Sequence, residues 1–182
     1  MRDWIFVTSS RPKVVEAERI LGRPLIQHHL DLPEIQALDL ETVIAAKAQL
    51  AYDTLGHVPI IVEDTGLFID CWKGLPGALI RWFEETVGTA GICSMLDCFG
   101  DRSARAQTIV AAFDGSLQMF SGEVRGQIAP APRGAQGFGW DTIFIPEGES
   151  RTFAEMTSEE KDRLSMRRKA FVDFALAESK KT

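Results

Sequence analysis

The chain has 182 residues, of which 45% are hydrophobic and 25% charged, the make-up of one ordinary globular domain, which excludes a disordered or low-complexity protein. A net charge of −6 speaks against a nucleic-acid polymer as partner, since a duplex binder needs a basic face; a mononucleotide, which needs only a few local Lys and Arg side chains, stays open. No run approaches the roughly 20 apolar residues that span a bilayer, so no membrane partner is expected. The first residues lack the build of a signal peptide, and three cysteines without CxxC spacing (Cys71, Cys93 and Cys98) suit a reducing cytoplasm better than a disulfide framework or a zinc site.

In chain order, Trp4–Thr8 reads as a short buried strand, followed by a helix from Pro12 to about Leu21 that opens on Ser9, Ser10 and Pro12. Leu25–Leu30 is a second strand. From Asp39 to about Tyr52, Leu40, Val43, Ile44, Ala48 and Ala51 recur at helical spacing. Gly56 ends that helix, and Pro59–Glu63 follows as an apolar strand tipped by Glu63 and Asp64 before Thr65-Gly66. The stretch from Ala78 to Cys98 reads as helical, divided at Gly88-Thr89. Ala104–Phe113 and Leu117–Val124 are strand-like runs joined by Asp114-Gly115, a strong hairpin signal. A loop rich in Pro and Gly, Pro130 to Gly139, leads to Ile143–Ile145. The tail after Thr157 reads as helical, with Thr157 and Glu160 spaced for a capping box. Alternating strands and helices followed by a hairpin predict an α/β fold with a mixed sheet, one domain over 1–182.

Four segments carry candidate chemistry. The turn T8-S9-S10-R11-P12-K13 opens a helix, and its free N–H groups, its dipole and Lys13 suit an anion; capping by Ser9 or Ser10 explains the serines equally. In I60-I61-V62-E63-D64-T65-G66 adjacent acids point to opposite faces of a strand. One of them can meet Mg²⁺ together with Glu34, or both can be solvated strand-end groups turning into Thr65-Gly66. In Q136-G137-F138-G139-W140-D141 the aromatics offer a stacking surface for a base and Asp141 an acceptor, unless Phe138 and Trp140 are core residues. The last segment is the basic group Lys161, Arg163, Arg167, Arg168 and Lys169, in which 161 and 168 would share a helical face and the others spread around it; most of this charge reads as a solvated surface, unless one or two of the group reach into a cleft.

The succession TSSRPK, DLPEIQ, VEDTGLF, LPGALIRWF, GFGWD, RTFAEM and KDRLSMR resembles the inosine triphosphate pyrophosphatase (Ham1-like) family over roughly residues 4 to 172. The resemblance implies an elongated mixed sheet with flanking helices and two lobes around a cleft, usually as a homodimer. It also implies Mg²⁺-dependent hydrolysis of ITP, dITP and XTP to the monophosphate and pyrophosphate, which clears damaged nucleotides from the pool. By the same resemblance Thr8, Ser10 and Lys13 hold phosphates, Lys47 and Arg81 add positive charge, and Glu34 and Asp64 ligate Mg²⁺. Asp64 also orients or deprotonates water. Phe138 stacks on the base; Thr65, Gly139, Trp140 and Asp141 are further substrate contacts, and Lys161 and Arg167 close over the nucleotide. Three positions depart from the family pattern: Ser10 where Asn is usual, Arg81 where Lys is usual, and Met166 in place of His in a Ser-His-Arg triplet. These departures leave open a pyrophosphatase of altered base preference, or a catalytically weak nucleotide-binding homologue.

Overall fold

The computed structural model describes residues 3–180. The first half builds parallel pairings around β1 (Ile5–Val7), flanked by β2 (Ile26–His28) and β3 (Ile60–Ile69). Between β1 and β2 lies α1 (Arg11–Leu21), started by the Ser10 hydroxyl, which accepts from Lys13 N, and stopped by Gly22 in the left-handed region at φ 65°. Between β2 and β3 lies α2 (Leu40–Thr54), capped by Asp39, whose carboxylate accepts from Thr42 N at 2.8 Å. The second half is antiparallel: β3 pairs with β5 (Ser103–Phe113), β5 with β6 (Leu117–Ile128), and β6 with β7 (Phe144–Pro146). The sheet order is β2-β1-β3-β5-β6-β7, with β4 (Pro76–Gly77) alongside β3. Two short helices, α3 (Ile80–Thr86) and α4 (Gly88–Met95), follow β4; α5 (Ser158–Leu164) and α6 (Met166–Ser179) close the chain.

Strand alternation assigns the two faces of β3. Ile61 belongs to a core with Phe6, Val14, Val110 and Phe171, which packs α1 and α6 onto one face. Ile60 and Val62 belong to another, with Leu40, Ile44, Ile109 and Ala111, which seats α2 on the opposite face. A third cluster, around Leu67, Ile80, Phe144 and Phe153, fills the end beneath α3 and α4. Among the described residues no helix is long and apolar enough to cross a membrane.

Two expectations change. The strand read as ending at Glu63 and Asp64 runs on to Ile69, because β5 pairs with every residue from Ile60 (opposite Phe113) to Ile69 (opposite Ala104). The acids therefore stand in mid-strand, and Gly66 is no turn residue: a Cβ there would lie 2.8 Å from the Phe68 ring and 3.0 Å from Gly77 O. The basic tail is two helices rather than one, since Ser165 is extended (φ −66°, ψ 144°) and its hydroxyl caps α6 by accepting from Arg168 N at 3.1 Å. The seven-residue spacing between Lys161 and Arg168 consequently defines no common face. Lys161 is buried and Arg168 exposed.

Candidate active site

β5 holds one edge of β3 along its whole length. The other edge is held by β1 only at Ile60 and Ile61 and by β4 only at Leu67 and Phe68. Residues 62–66 face the gap, and a cleft of ≈ 640 Å³ opens there. The turn after β1, the loop carrying Glu34, α2, α3, the Phe138–Asp141 loop and the start of α6 all contribute walls.

At one end lies the start of α1. Ser10 caps the helix, as the structural alternative held, and its own N–H donates to Thr8 Oγ1 at 3.1 Å. Both residues nevertheless line the cleft with Lys13, so the helix start remains an exposed positive pole. Lys13 Nζ lies 3.0 Å from Glu63 Oε1.

The two neighbouring acids divide as strand geometry requires. Asp64 points toward α2, lines the cleft and has a carboxyl pushed upward by burial. Lys13 and Lys47 pull it down and Glu34 raises it further, leaving it above the ordinary range. Lys47, from α2, donates to Glu34 Oε1 at 2.5 Å. Burial disfavours the Lys47 ammonium, but Asp64 and Glu34 outweigh burial and raise its pKa. Burial is the largest influence on the Glu34 carboxyl and raises it, but Lys47, Lys13 and Arg81 together leave it lowered. Arg81 stands at the rim, largely exposed, with Nε 2.7 Å from Glu85 Oε1.

Glu63 points the other way, is 2% exposed and receives Arg167 as a fork: Nε donates to Oε2 at 2.6 Å and Nη2 to Oε1 at 3.2 Å. Burial pushes this carboxyl up, and Arg167 and Lys13 hold it far below the ordinary range instead. Arg167 further donates to Thr65 Oγ1 at 3.2 Å and to Glu16. Four of its five N–H donors are thereby engaged, leaving one. Lys161 is fastened by Glu16 at 2.7 Å and Asp141 at 2.6 Å. The two cations expected to close over a ligand are thus anchored from beneath, and Arg167, not Lys161, reaches the cleft wall.

Phe138 lines the cleft, with the Lys161 ammonium 4.9 Å and the Arg167 guanidinium 5.5 Å from its ring centre. Gly139 sits at φ 60° beside it. Trp140 is a core residue, packed edge-on against Phe144, that also presents a side to the cleft. Asp141 is buried, its Oδ2 accepting from Phe138 N at 2.8 Å and from Lys161, so it shapes the aromatic loop. Burial raises its carboxyl despite Lys161. Met166 is 1% exposed, shares the apolar cluster with Trp140 and Ile80, and forms a greasy stretch of cleft wall.

Three acids were not anticipated in these roles. Glu63 had no role of its own in the sequence reading beyond being one of two adjacent acids, because nothing in VEDTG says which face of the strand will meet an arginine 104 positions later. Glu16 sits between Val14 and Ala17 on the buried face of α1; a charge inside that apolar stripe was the available signal. Glu84, on α3, lines the cleft beside Gly139 and had no motif to mark it.

An open mixed sheet with a carboxylate cleft walled by cations at one end and an aromatic loop at the other defines a nucleotide-hydrolase type of site. The Ham1 family model matches residues 4–177, and the chain belongs to the Ham1 family. It is 45% identical to a dITP/XTP pyrophosphatase of Thermococcus kodakarensis, over 93% of this chain and 94% of that one. It is 41% identical to an inosine triphosphate pyrophosphatase of Kluyveromyces lactis, over 92% and 91%. A Ham1 protein from Coxiella burnetii has the same fold, with a TM-score of 0.82 at 24% identity over 99% of this chain and 100% of that one.

Proposed function

We propose that the chain hydrolyses deaminated purine nucleoside triphosphates (ITP, dITP and XTP) to the monophosphate and pyrophosphate, with Mg²⁺, and so clears damaged nucleotides from the pool. The observation that carries this reading is the half-buried carboxyl of Asp64, flanked by Lys13 and Lys47 in the same cleft as the Phe138 loop. The printed activities of the relatives from Thermococcus and Kluyveromyces point the same way. Lys13 and the N–H groups at the start of α1 bind and orient the phosphates, and Lys47 supplies charge from the facing helix. Asp64 holds the attacking water and takes its proton, a task that a carboxyl raised by burial performs better than a solvated one. The single Arg167 N–H left over donates to the 6-oxo group of hypoxanthine or xanthine. Adenine offers a 6-amino donor there and leaves that buried N–H unpaired.

The donor set suits Mg²⁺, which takes one or two carboxylates and fills its shell with phosphate and water oxygens. No group of three or more His, Cys, Asp or Glu suited to a metal exists among the described residues, and this cation needs none. Glu34 and Asp64 would hold it, and when bound it neutralises phosphate charge and acidifies water. A homodimer in the cytoplasm completes the reading, supported by the family resemblance and by free thiols at Cys71, Cys93 and Cys98.

A related base preference is the second reading, favoured by Met166, which offers a base no donor. A panel of nucleoside triphosphates with Mg²⁺, assayed for pyrophosphate, tests both. Turnover of ITP and XTP well above ATP, abolished by chelation, is the expected result. Direct release of orthophosphate, or no turnover of any nucleotide, overturns the proposal; strongest turnover of another base favours the second reading.

A further inference from the structure

Along β5 the residues that share a sheet face with Glu63 are Ala104, Ala106, Thr108, Val110 and Ala112, all of them buried. Thr108 carries the one hydroxyl in that series and is 0% exposed. It stands directly opposite Thr65 in the β3–β5 ladder, with the two Oγ1 atoms 2.9 Å apart. A valine would pack there with no polar group to satisfy, so packing alone does not account for the hydroxyl.

Proton counting gives the direction of each bond. Thr65 Oγ1 lies 2.9 Å from Glu63 Oε1. A carboxylate gripped by Lys13 and Arg167 only accepts, so the single Thr65 hydroxyl proton goes to Glu63. Thr108 must then donate to Thr65. Arg167 Nη2 donates to the same oxygen at 3.2 Å, and the Thr65 backbone N–H donates to Asp64 Oδ1 at 2.9 Å. Both protons of Thr65 are thus committed within the protein. The guanidinium is planar and rigid, so what fixes Nε and Nη2 also fixes Nη1. Nη1 carries the remaining N–H, its other one going to Glu16. Glu63 and Thr65 hold that plane, and Thr108 holds Thr65.

Resting on the proposed role of Arg167 toward the 6-oxo group, we infer that Thr108 is a positioning residue for base selection. Through Thr65 it sets the direction in which Arg167 presents its free N–H, although it is not among the residues that line the cleft.

The test measures kcat/KM for ITP and ATP, with urea unfolding, in the parent, Thr108→Val, Thr108→Ser, Thr65→Val and the double valine variant. Thr108→Val is expected to lower the ITP/ATP ratio about fivefold, the scale of one hydrogen bond, through a higher KM for ITP with ATP unmoved. Thr108→Ser keeps the hydroxyl and should hold the ratio within about twofold of the parent. In the Thr65→Val background, Thr108→Val should have no further effect on the ratio, since its route to Arg167 is gone. Thr108→Ala takes the place of Thr108→Val if the latter unfolds. An unchanged ratio in Thr108→Val overturns the inference. So does an equal loss in Thr108→Ser, or the same loss repeated in the Thr65→Val background, since either assigns the effect to packing. A parent without preference for ITP over ATP fails the base reading itself, a result read before any variant is made.

Discussion

Asp64 and Met166 mark the two kinds of information that a single residue carries. Asp64 is valuable for its charge in a place that resists charge, so the substitution that keeps its size is the informative one. Asp64→Asn is expected to lower kcat by a factor on the order of 10²–10⁴, the range of general-base catalysis, with ITP affinity measured by calorimetry largely retained. Parental turnover in that variant would remove Asp64 from the mechanism. Met166 is a packing residue in a polar motif. A volume-conserving Met166→Leu should leave kcat/KM for ITP within about threefold and stability within about 1.5 kcal/mol; a larger kinetic loss would show a role beyond packing. Much of this was legible in the sequence. The segments TSSRPK, VEDTG and GFGWD stood out as candidate anion, acid and aromatic positions, and Thr8, Ser10, Lys13, Asp64 and Phe138 from them do line one cleft. What the residues could not announce was the partner of each charge. Lys13 and Arg167 both turn to Glu63, because that acid faces α1 and α6 while Asp64 faces α2.

At the scale of elements, pairing decides where patterns mislead. The polar run Glu63-Asp64-Thr65-Gly66 has the look of a strand end, yet the β5 ladder carries the backbone straight through it. The tail shows the converse: continuous helical periodicity is cut at Ser165, whose hydroxyl starts a new helix. That cut places Met166 and Arg167 at the head of α6, where the backbone lies directly over β6. A Cβ added at Gly122 would come within 2.0 Å of Met166 O and 2.9 Å of Ala170 N. Gly122→Ala is therefore expected to displace the head of α6 and with it Arg167. A loss of about 1–3 kcal/mol in urea unfolding should accompany reduced selectivity for ITP over ATP. Unchanged stability would mean that the helix yields without strain. β4 was not foreseen, since two residues, Pro76 and Gly77, carry no periodicity to read.

Across the molecule, the ends of the chain and the cleft share one framework. The Trp4 indole N–H donates to Glu178 at 2.8 Å, binding β1 to α6, and Glu16 joins α1 to both Lys161 and Arg167. Burial pushes the Glu16 carboxyl up, but these two cations outweigh it and leave the group below its ordinary value of 4.5. A carboxyl depressed by folding stabilises the native state above its unfolded pKa and loses that contribution as pH falls through the folded value. Glu16→Gln should accordingly cost roughly 3–5 kcal/mol near neutral pH, as when one member of a buried pair is removed. The gap in melting temperature to the parent should narrow below about pH 4.5. A gap constant with pH would show that shape rather than charge is what Glu16 contributes. Apart from β4 and the break at Ser165, the order of strands and helices was readable from periodicity with turn and cap signals. The long-range ties were not, because Trp4–Glu178 and Glu16–Arg167 join positions that only the closed fold brings together.

The Lys13–Glu63 contact has a consequence for how substrate arrives. Lys13, the lysine proposed to meet the phosphates, already has an anion at 3.0 Å, so part of its water shell is replaced by protein. Phosphate binding is then a change of partner for Lys13, with little solvent left to clear from that ammonium. Glu63, for its part, is not abandoned, since the Arg167 fork still holds it. On the proposed reading, entry of the substrate is an exchange within a fixed lattice of charges.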